Sequence, residues 1–201
     1  MEKEDLFAHK SKTWDQKERR VKTAEAIARI ISSRINLNEN MTILDFGAGT
    51  GLLSGFIAPQ VGKIIAVDNS PAMLGEFNKK NFPCETELLK LNPDKEKFRN
   101  DLKCDGIISS MTLHHIKDLK NLFKEFYKIL KTGGFIALAD LEKEDGSFHS
   151  DNKGVYHFGF EKEYLEKILK ECGFKEISFH HAYTIKKPHK DFNVFCVIGK
   201  K

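Results

Sequence analysis

The chain has 201 residues, 40% hydrophobic and 31% charged, with a formal net charge of +4. That length suits one α/β core, because domains run about 100–150 residues and single cores reach about 250, and it leaves little for a separate substrate-recognition domain. The positive charge comes from scattered lysines rather than a Lys/Arg stripe interleaved with aromatics, which speaks against a nucleic-acid surface.

No apolar run approaches a membrane span, and the opening Met-Glu-Lys-Glu-Asp lacks the basic-then-apolar order of a signal peptide, so a cytoplasmic location is expected. Cys84, Cys104, Cys172 and Cys196 include no Cys-x-x-Cys pair. They are expected to be reduced thiols, with no zinc site or redox dithiol and no bound metal. Residues 1–20 form a polar arm whose bulky apolar groups are Leu6, Phe7 and Trp14, and such segments are commonly frayed unless anchored. Over residues 21–35, Val21, Ala24, Ala28, Ile31 and Ile35 recur at helical spacing, which predicts a helix packed on a sheet.

Residues 43–52 then read Ile-Leu-Asp-Phe-Gly-Ala-Gly-Thr-Gly-Leu, and apolar periodicity resumes through Leu53, Phe56 and Ile57. This order predicts a buried strand ending at Asp45, a tight turn and the first turn of a helix. Glycine at 47, 49 and 51 permits positive φ and lets a ligand approach without meeting a Cβ. A dinucleotide loop wants Gly-x-Gly-x-x-Gly so that a pyrophosphate sits on the helix N-terminus. Here the third glycine comes one position early, with Leu52 in its place. A carboxylate at Asp45 would repel a diphosphate and suit a ligand with an ammonium end.

Asp45-Phe46-Gly47-Ala48-Gly49-Thr50-Gly51 resembles the first motif of the class I S-adenosylmethionine-dependent methyltransferases. The nearest subgroup is the small-molecule type that includes ubiquinone and menaquinone methyltransferases, and the likeness covers roughly residues 40–200. It implies a Rossmann-like, doubly wound sheet of seven strands, mostly parallel with a C-terminal antiparallel hairpin. It also implies S-adenosyl-L-methionine as cofactor, held by Asp45, Phe46, Gly47, Ala48 and Gly49 in this loop. By the same likeness, residues 1–20 form an arm or lid, with Lys12-Thr13-Trp14-Asp15 over the cofactor, and residues 21–201 form one methyltransferase domain. Read without it, Trp14 is an anchor for the arm.

Residues 63–67 read as a second buried strand ending at Asp68, and a strand, helix, strand order of this length is a right-handed parallel crossover. Asp68 therefore falls beside the glycine loop, where a carboxylate can accept from both hydroxyls of a ribose. Its structural alternative is capping the helix opened by Ser70-Pro71-Ala72. Residues 68–74 resemble the family's second motif, which brings Asn69 and Met73 to the cofactor.

Residues 87–92 occupy the third strand, where the family usually carries an acid for the adenine amino group. Here Leu91 through its backbone or Asn92 through its amide oxygen takes that place, or Asn92 only shapes the turn before Pro93. A fourth strand over residues 105–111 resembles the motif that passes beneath the methionine part, with Ser110 and Met111 at its end.

His114 and His115 follow, and adjacent side chains point apart, so they do not readily chelate one metal. Residues 119–130 form a helix closed by Gly133-Gly134, and residues 135–139 a fifth strand. The loop over residues 141–156 is long for a compact domain, carries Asp145 and His149 with His157 just beyond it, and is expected to shape a substrate pocket. A helix over residues 162–172 and strands over 175–182 and 192–198 close the chain. The last two are joined by too short a link for a parallel return.

The implied chemistry is in-line displacement of a sulfonium-activated methyl group by a small-molecule nucleophile, in which alignment alone is worth about 7–11 kcal/mol. If the acceptor must lose a proton, His149, His114 and His115 are candidate bases in that order. An RNA or protein methyltransferase on the same fold, a non-catalytic module that binds S-adenosylmethionine, and an NAD-dependent oxidoreductase remain alternatives. The sequence does not fix the acceptor or the oligomeric state.

Overall fold

The computed structural model describes residues 5 and 7–201. The expectations placed on residues 1–4 and on Leu6 lie outside them. A 3-10 helix, Ala8–Gln16, leads into helix α1, Glu18–Arg34. Two strand-and-helix pairs follow, β1 (Thr42–Phe46) with α2 (Leu52–Ile57) and β2 (Lys63–Asp68) with α3 (Pro71–Phe77), then β3 (Glu85–Lys90) before β4 (Cys104–Ser110). A short 3-10 turn, Leu113–His115, precedes α4 (Leu119–Ile129), β5 (Leu130–Leu141), α5 (Lys162–Glu171), β6 (Lys175–Lys187) and β7 (Lys190–Lys200).

The seven strands form one sheet in the order β3-β2-β1-β4-β5-β7-β6. All neighbours are parallel except β5 with β7 and β7 with β6, so the doubly wound sheet with a closing hairpin is the observed architecture. Strand alternation builds a core on each face. Ile43, Ile64 and Ile108 face α1, α2 and α3, whereas Leu44, Ile65 and Ile107 face α4 and α5. Winding reverses between β1 and β4, and the carboxyl ends of these strands with β2 are the switch-point edge where such sheets bind ligands.

Three boundaries differ from the sequence reading. Helix α4 stops at Ile129, ahead of the glycine pair, because Leu130 is buried beside Cys104 and draws the chain into the sheet. Gly133, at φ +78°, then serves an irregularity inside β5 rather than a helix cap. Strand β3 lies two residues earlier than expected, since its register against β2 runs from Lys63↔Glu85 to Asp68↔Lys90, with Lys63 bridging Glu85 at 2.8 Å and Glu87 at 2.9 Å. The hairpin extends to a two-residue turn at Pro188-His189, because continued pairing buries Ile185 against Phe192. Helix α1 buries Ala24, Ala28 and Ile31 as its stripe predicts and adds Ile27; Val21 and Ile35 remain half-exposed. Among the described residues, no helix is long and apolar enough to cross a membrane.

Candidate active site

The turn after β1 is held by the backbone of β2: the N–H groups of Gly47 and Ala48 both donate to the Val67 carbonyl, at 2.8 and 3.0 Å. Gly47 and Gly49 take φ of +70° and +56°, which glycine adopts without steric cost. Their surroundings differ. A Cβ on Gly47 would lie 2.1 Å from Thr112 Oγ1, while one on Gly49 would meet nothing within 4 Å. Gly47 is therefore glycine for packing, and Gly49 leaves open space over the loop.

Asp68, at the end of β2, closes that space. Its Oδ2 accepts from Gly49 N–H and its Oδ1 from Ser70 N–H, each at 2.8 Å. Burial raises its pKa, the two N–H groups oppose that, and the charge of Asp5 adds to it. The helix-capping role considered for Asp68 falls to Ser70, whose hydroxyl accepts from Met73 N–H. Asp45 is buried in the last turns of β1 and accepts from Ser54 Oγ at 2.6 Å. Burial pushes its carboxyl up to about 7, with Ser54 opposing and Asp68 reinforcing the shift.

These groups line one cavity of about 710 Å³, and so does every residue named from the sequence as a cofactor or base candidate. Asn92 Oδ1, also at the cavity, accepts from Asp94 N–H at 3.1 Å, a turn contact that leaves the oxygen one lone pair. Met111, at the end of β4, has a φ of 57°, a left-handed backbone that costs a non-glycine residue about 1–3 kcal/mol and clusters at binding sites.

The opposite wall is a histidine cluster. His114 is buried, and its Nδ1 lies 2.8 Å from Oδ1 of Asp140, which is also buried at the carboxyl end of β5. Asp140 further accepts from the N–H groups of His114 and Leu141. Burial pushes the Asp140 carboxyl up, but the charge and hydrogen bond of His114 outweigh it and hold the pKa below its ordinary value.

A carboxylate at Nδ1 fixes the proton there and leaves Nε2 as the ring's acceptor when neutral. That Nε2 is buried with no hydrogen-bond partner, and so is Nε2 of His149. The rings of His115 and His149 lie 4.2 and 5.0 Å from that of His114. Burial first, and His114 second, push both of these neighbours down to about 4, so they are neutral at physiological pH. His115 Nδ1 is 2.7 Å from the Gly154 carbonyl, which engages it as donor.

His157 bonds the Ile116 carbonyl and Asp145 pairs with Lys190, and neither lines the cavity. Among the described residues, no group of three or more His, Cys, Asp or Glu side chains is arranged to hold a metal ion.

Asp140 and Asp5 went unassigned in the sequence, whereas Trp14 and Asp15 belonged to the expected lid. Asp140 had a usable signal, since it ends a strand on the same edge as Asp45 and Asp68. The arm had a weaker one. Asp15 accepts from Thr50 Oγ1 at 2.5 Å and pairs with Lys80, Asp5 accepts from Ser70 Oγ at 2.8 Å, and Phe7 sets its ring edge-on to His115 at 5.5 Å. Trp14 lines the cavity beneath the Arg20 guanidinium, 3.5 Å from its ring centroid.

The sequence matches the family described as methyltransferase domain over residues 16–179. It is 32% identical over 166 residues to an uncharacterised methyltransferase of Schizosaccharomyces pombe, covering 73% of this chain and 56% of that protein. It is 35% identical over 152 residues to a malonyl-[acyl-carrier protein] O-methyltransferase of Ilyobacter polytropus, covering 75% and 55%. The chain thus spans about half the length of these relatives. In structure it resembles the methyltransferase complexed with the Haloferax volcanii Trm112 methyltransferase activator, with a TM-score of 0.77 and 18% identity over 98% of this chain and 96% of that one.

Proposed function

Since the chain belongs to the methyltransferase domain family, we propose that it binds S-adenosylmethionine in the Gly49–Asp68 cradle and methylates a small-molecule acceptor held against the histidine wall. The observation that carries this reading is the open space over Gly49, where a Cβ would meet nothing within 4 Å, bounded by a carboxylate tied to the same loop. Asp68 keeps lone pairs for two ribose hydroxyls beyond its two N–H contacts. Asp45 supplies an anionic wall for the ammonium end once it is ionised. Leu91 and Asn92 border the adenine place, and Ser110 and Met111 the methionine chain.

When bound, S-adenosylmethionine supplies a methyl carbon activated by its sulfonium. The protein's own residues position the acceptor, exclude water and take its proton. For that proton we place His114 ahead of His149 and His115, because Asp140 orients it and its Nε2 is bare. Asp140 acts through His114 as a positioning residue. The arm, through Asp5, Phe7, Trp14 and Asp15, serves as a lid whose contacts reach Ser70, His115 and Thr50.

A small acceptor is favoured by the cavity's volume of about 710 Å³, within the about 300–1,000 Å³ of small-molecule sites. Relatives named for malonyl-[acyl-carrier protein] and phosphoethanolamine point the same way. Four unpaired thiols are consistent with a cytoplasmic location. The reading is tested by titration calorimetry with S-adenosylhomocysteine, followed by transfer of labelled methyl groups to a panel of phenols, amines and carboxylic acids. Absence of binding in folded protein rejects it; binding without transfer to any acceptor supports a non-catalytic module instead.

A further inference from the structure

We propose that the acceptor carries an anionic group, phosphate or carboxylate, which docks between Arg19 in the first turn of α1 and Lys187 at the end of β6. This rests on the methyltransferase reading and specifies its substrate class.

Asp45, Asp68 and Asp5 gather around the glycine loop, where Asp5 and Asp68 both engage Ser70. Arg19 and Lys187 line the cavity from elsewhere, and β2 and β6 lie five strands apart in the sheet.

Both cations line the one cavity. Burial lowers the Lys187 pKa, the charge of Arg19 lowers it further, and Glu144 only partly offsets them. Among the described residues no carboxylate forms an ion pair with either side chain. Two like charges lining one cavity, with no ion-paired carboxylate among the described residues, are unfavourable, and an anion between them reverses the sign of that interaction.

Lys187 is also pre-oriented. Its Nζ donates to the Phe148 carbonyl and lies 4.4 and 5.3 Å from the ring centroids of Phe148 and Phe192. One of its three N–H donors is used there, leaving others for an anion.

The position relative to the reacting end is fixed by ring contacts. Phe148 is 4.8 Å from His149, and His149 is 5.0 Å from His114. An acceptor whose nucleophile sits at His114 Nε2 would thus reach Lys187 with a group two ring contacts away. The anionic group is then a handle for binding, distinct from the atom methylated.

The experiment uses the full chain saturated with S-adenosylhomocysteine, with inorganic phosphate and malonate as probes. Trp14, the single tryptophan, lines the same cavity and reports occupancy by fluorescence. At constant ionic strength at least one probe is expected to bind saturably. Arg19→Gln and Lys187→Met, on separate elements, are each expected to weaken it about tenfold or more, the usual worth of one charge-assisted hydrogen bond. Lys187→Arg should retain binding. Circular dichroism confirms that each variant is folded.

Saturation by neither probe, or equal affinity in wild type and the Arg19→Gln/Lys187→Met double variant, overturns the proposal. If S-adenosylhomocysteine itself fails to bind, the methyltransferase reading falls and this proposal with it. If it binds and the anions do not, only the anion subsite is wrong.

Discussion

Gly49 and Asp68, nineteen residues apart, are joined by a single hydrogen bond in which the Gly49 N–H donates to Asp68 Oδ2 at 2.8 Å. The bond ties the loop after β1 to the end of β2 and leaves the space above Gly49 clear. It couples the acid to the bend.

Gly47 and Gly49 should separate stability from binding. Gly47→Ala forces a methyl group into Thr112, 2.1 Å away, in a backbone conformation unfavourable for alanine, and should lower Tm by several degrees. Gly49→Ala bears only the backbone cost, about 1–2 kcal/mol, but points its methyl group into the cavity. Its thermal loss should be smaller, and its loss of S-adenosylhomocysteine affinity the clearer effect. Thermal melts and calorimetry on the two variants decide this; equal behaviour in both assays contradicts the assignment of the open space to the ligand.

Asp45 should make cofactor binding dependent on pH. Its carboxyl sits at about 7 and must be ionised to attract an ammonium group. Affinity should therefore fall as pH drops through 7, by about thirtyfold between pH 8.5 and 5.5, because only the ionised fraction is competent. The stability effect has the opposite sense. An acid whose folded pKa is raised stabilises the fold below its unfolded value, near 3.8, and that contribution is lost as pH rises through 7. Asp45→Asn should thus raise the Tm of ligand-free protein at pH 8, have little effect at pH 4, and weaken S-adenosylhomocysteine binding. A Tm difference independent of pH would contradict the raised carboxyl.

His115 and His149, held at about 4, give a second pH dependence. A histidine with a depressed folded pKa contributes stability that is complete above about 6.5 and is lost as pH falls toward 4, where the unfolded chain binds more protons. Ring resonances of both should stay those of neutral imidazole down to pH 5 in a two-dimensional NMR titration. Protonation of either above pH 6 would show that the cluster is more open to water than its burial indicates.

His114 should matter to turnover and not to cofactor affinity. Once an acceptor is found, His114→Gln should lower kcat by about 10²–10⁴, the usual range for a general base. Asp140→Asn should lower it less and shift the pH profile of kcat/KM, since it disturbs only the orientation of the ring. S-adenosylhomocysteine affinity should be unchanged in both. Full activity of His114→Gln on a phenol or amine would remove the base from the mechanism.

Much of this was legible in the sequence because it is local. Three glycines after a buried strand fix a turn, and a strand, helix, strand spacing fixes where Asp68 must fall. The Asp140–His114 pair was not legible: its members are 26 residues apart, and only the parallel pairing of β4 with β5 brings their ends together. Gly133-Gly134 misled for a related reason. Glycines after an amphipathic run signal a helix end, but burial of Leu130 beside Cys104 ends the helix at Ile129 and draws the glycine pair into β5. The arm is quieter still, because the contacts of Asp5 with Ser70, Phe7 with His115, and Asp15 with Thr50 and Lys80 have no periodicity to betray them.

The most direct measurement is titration calorimetry of S-adenosylhomocysteine into wild type and Asp68→Ala, with circular dichroism confirming that both are folded. The account predicts saturable binding to wild type at one site and affinity at least about tenfold weaker in the variant, for loss of charge-assisted hydrogen bonds worth about 1.5–3 kcal/mol each. Equal affinities in two folded proteins would contradict it.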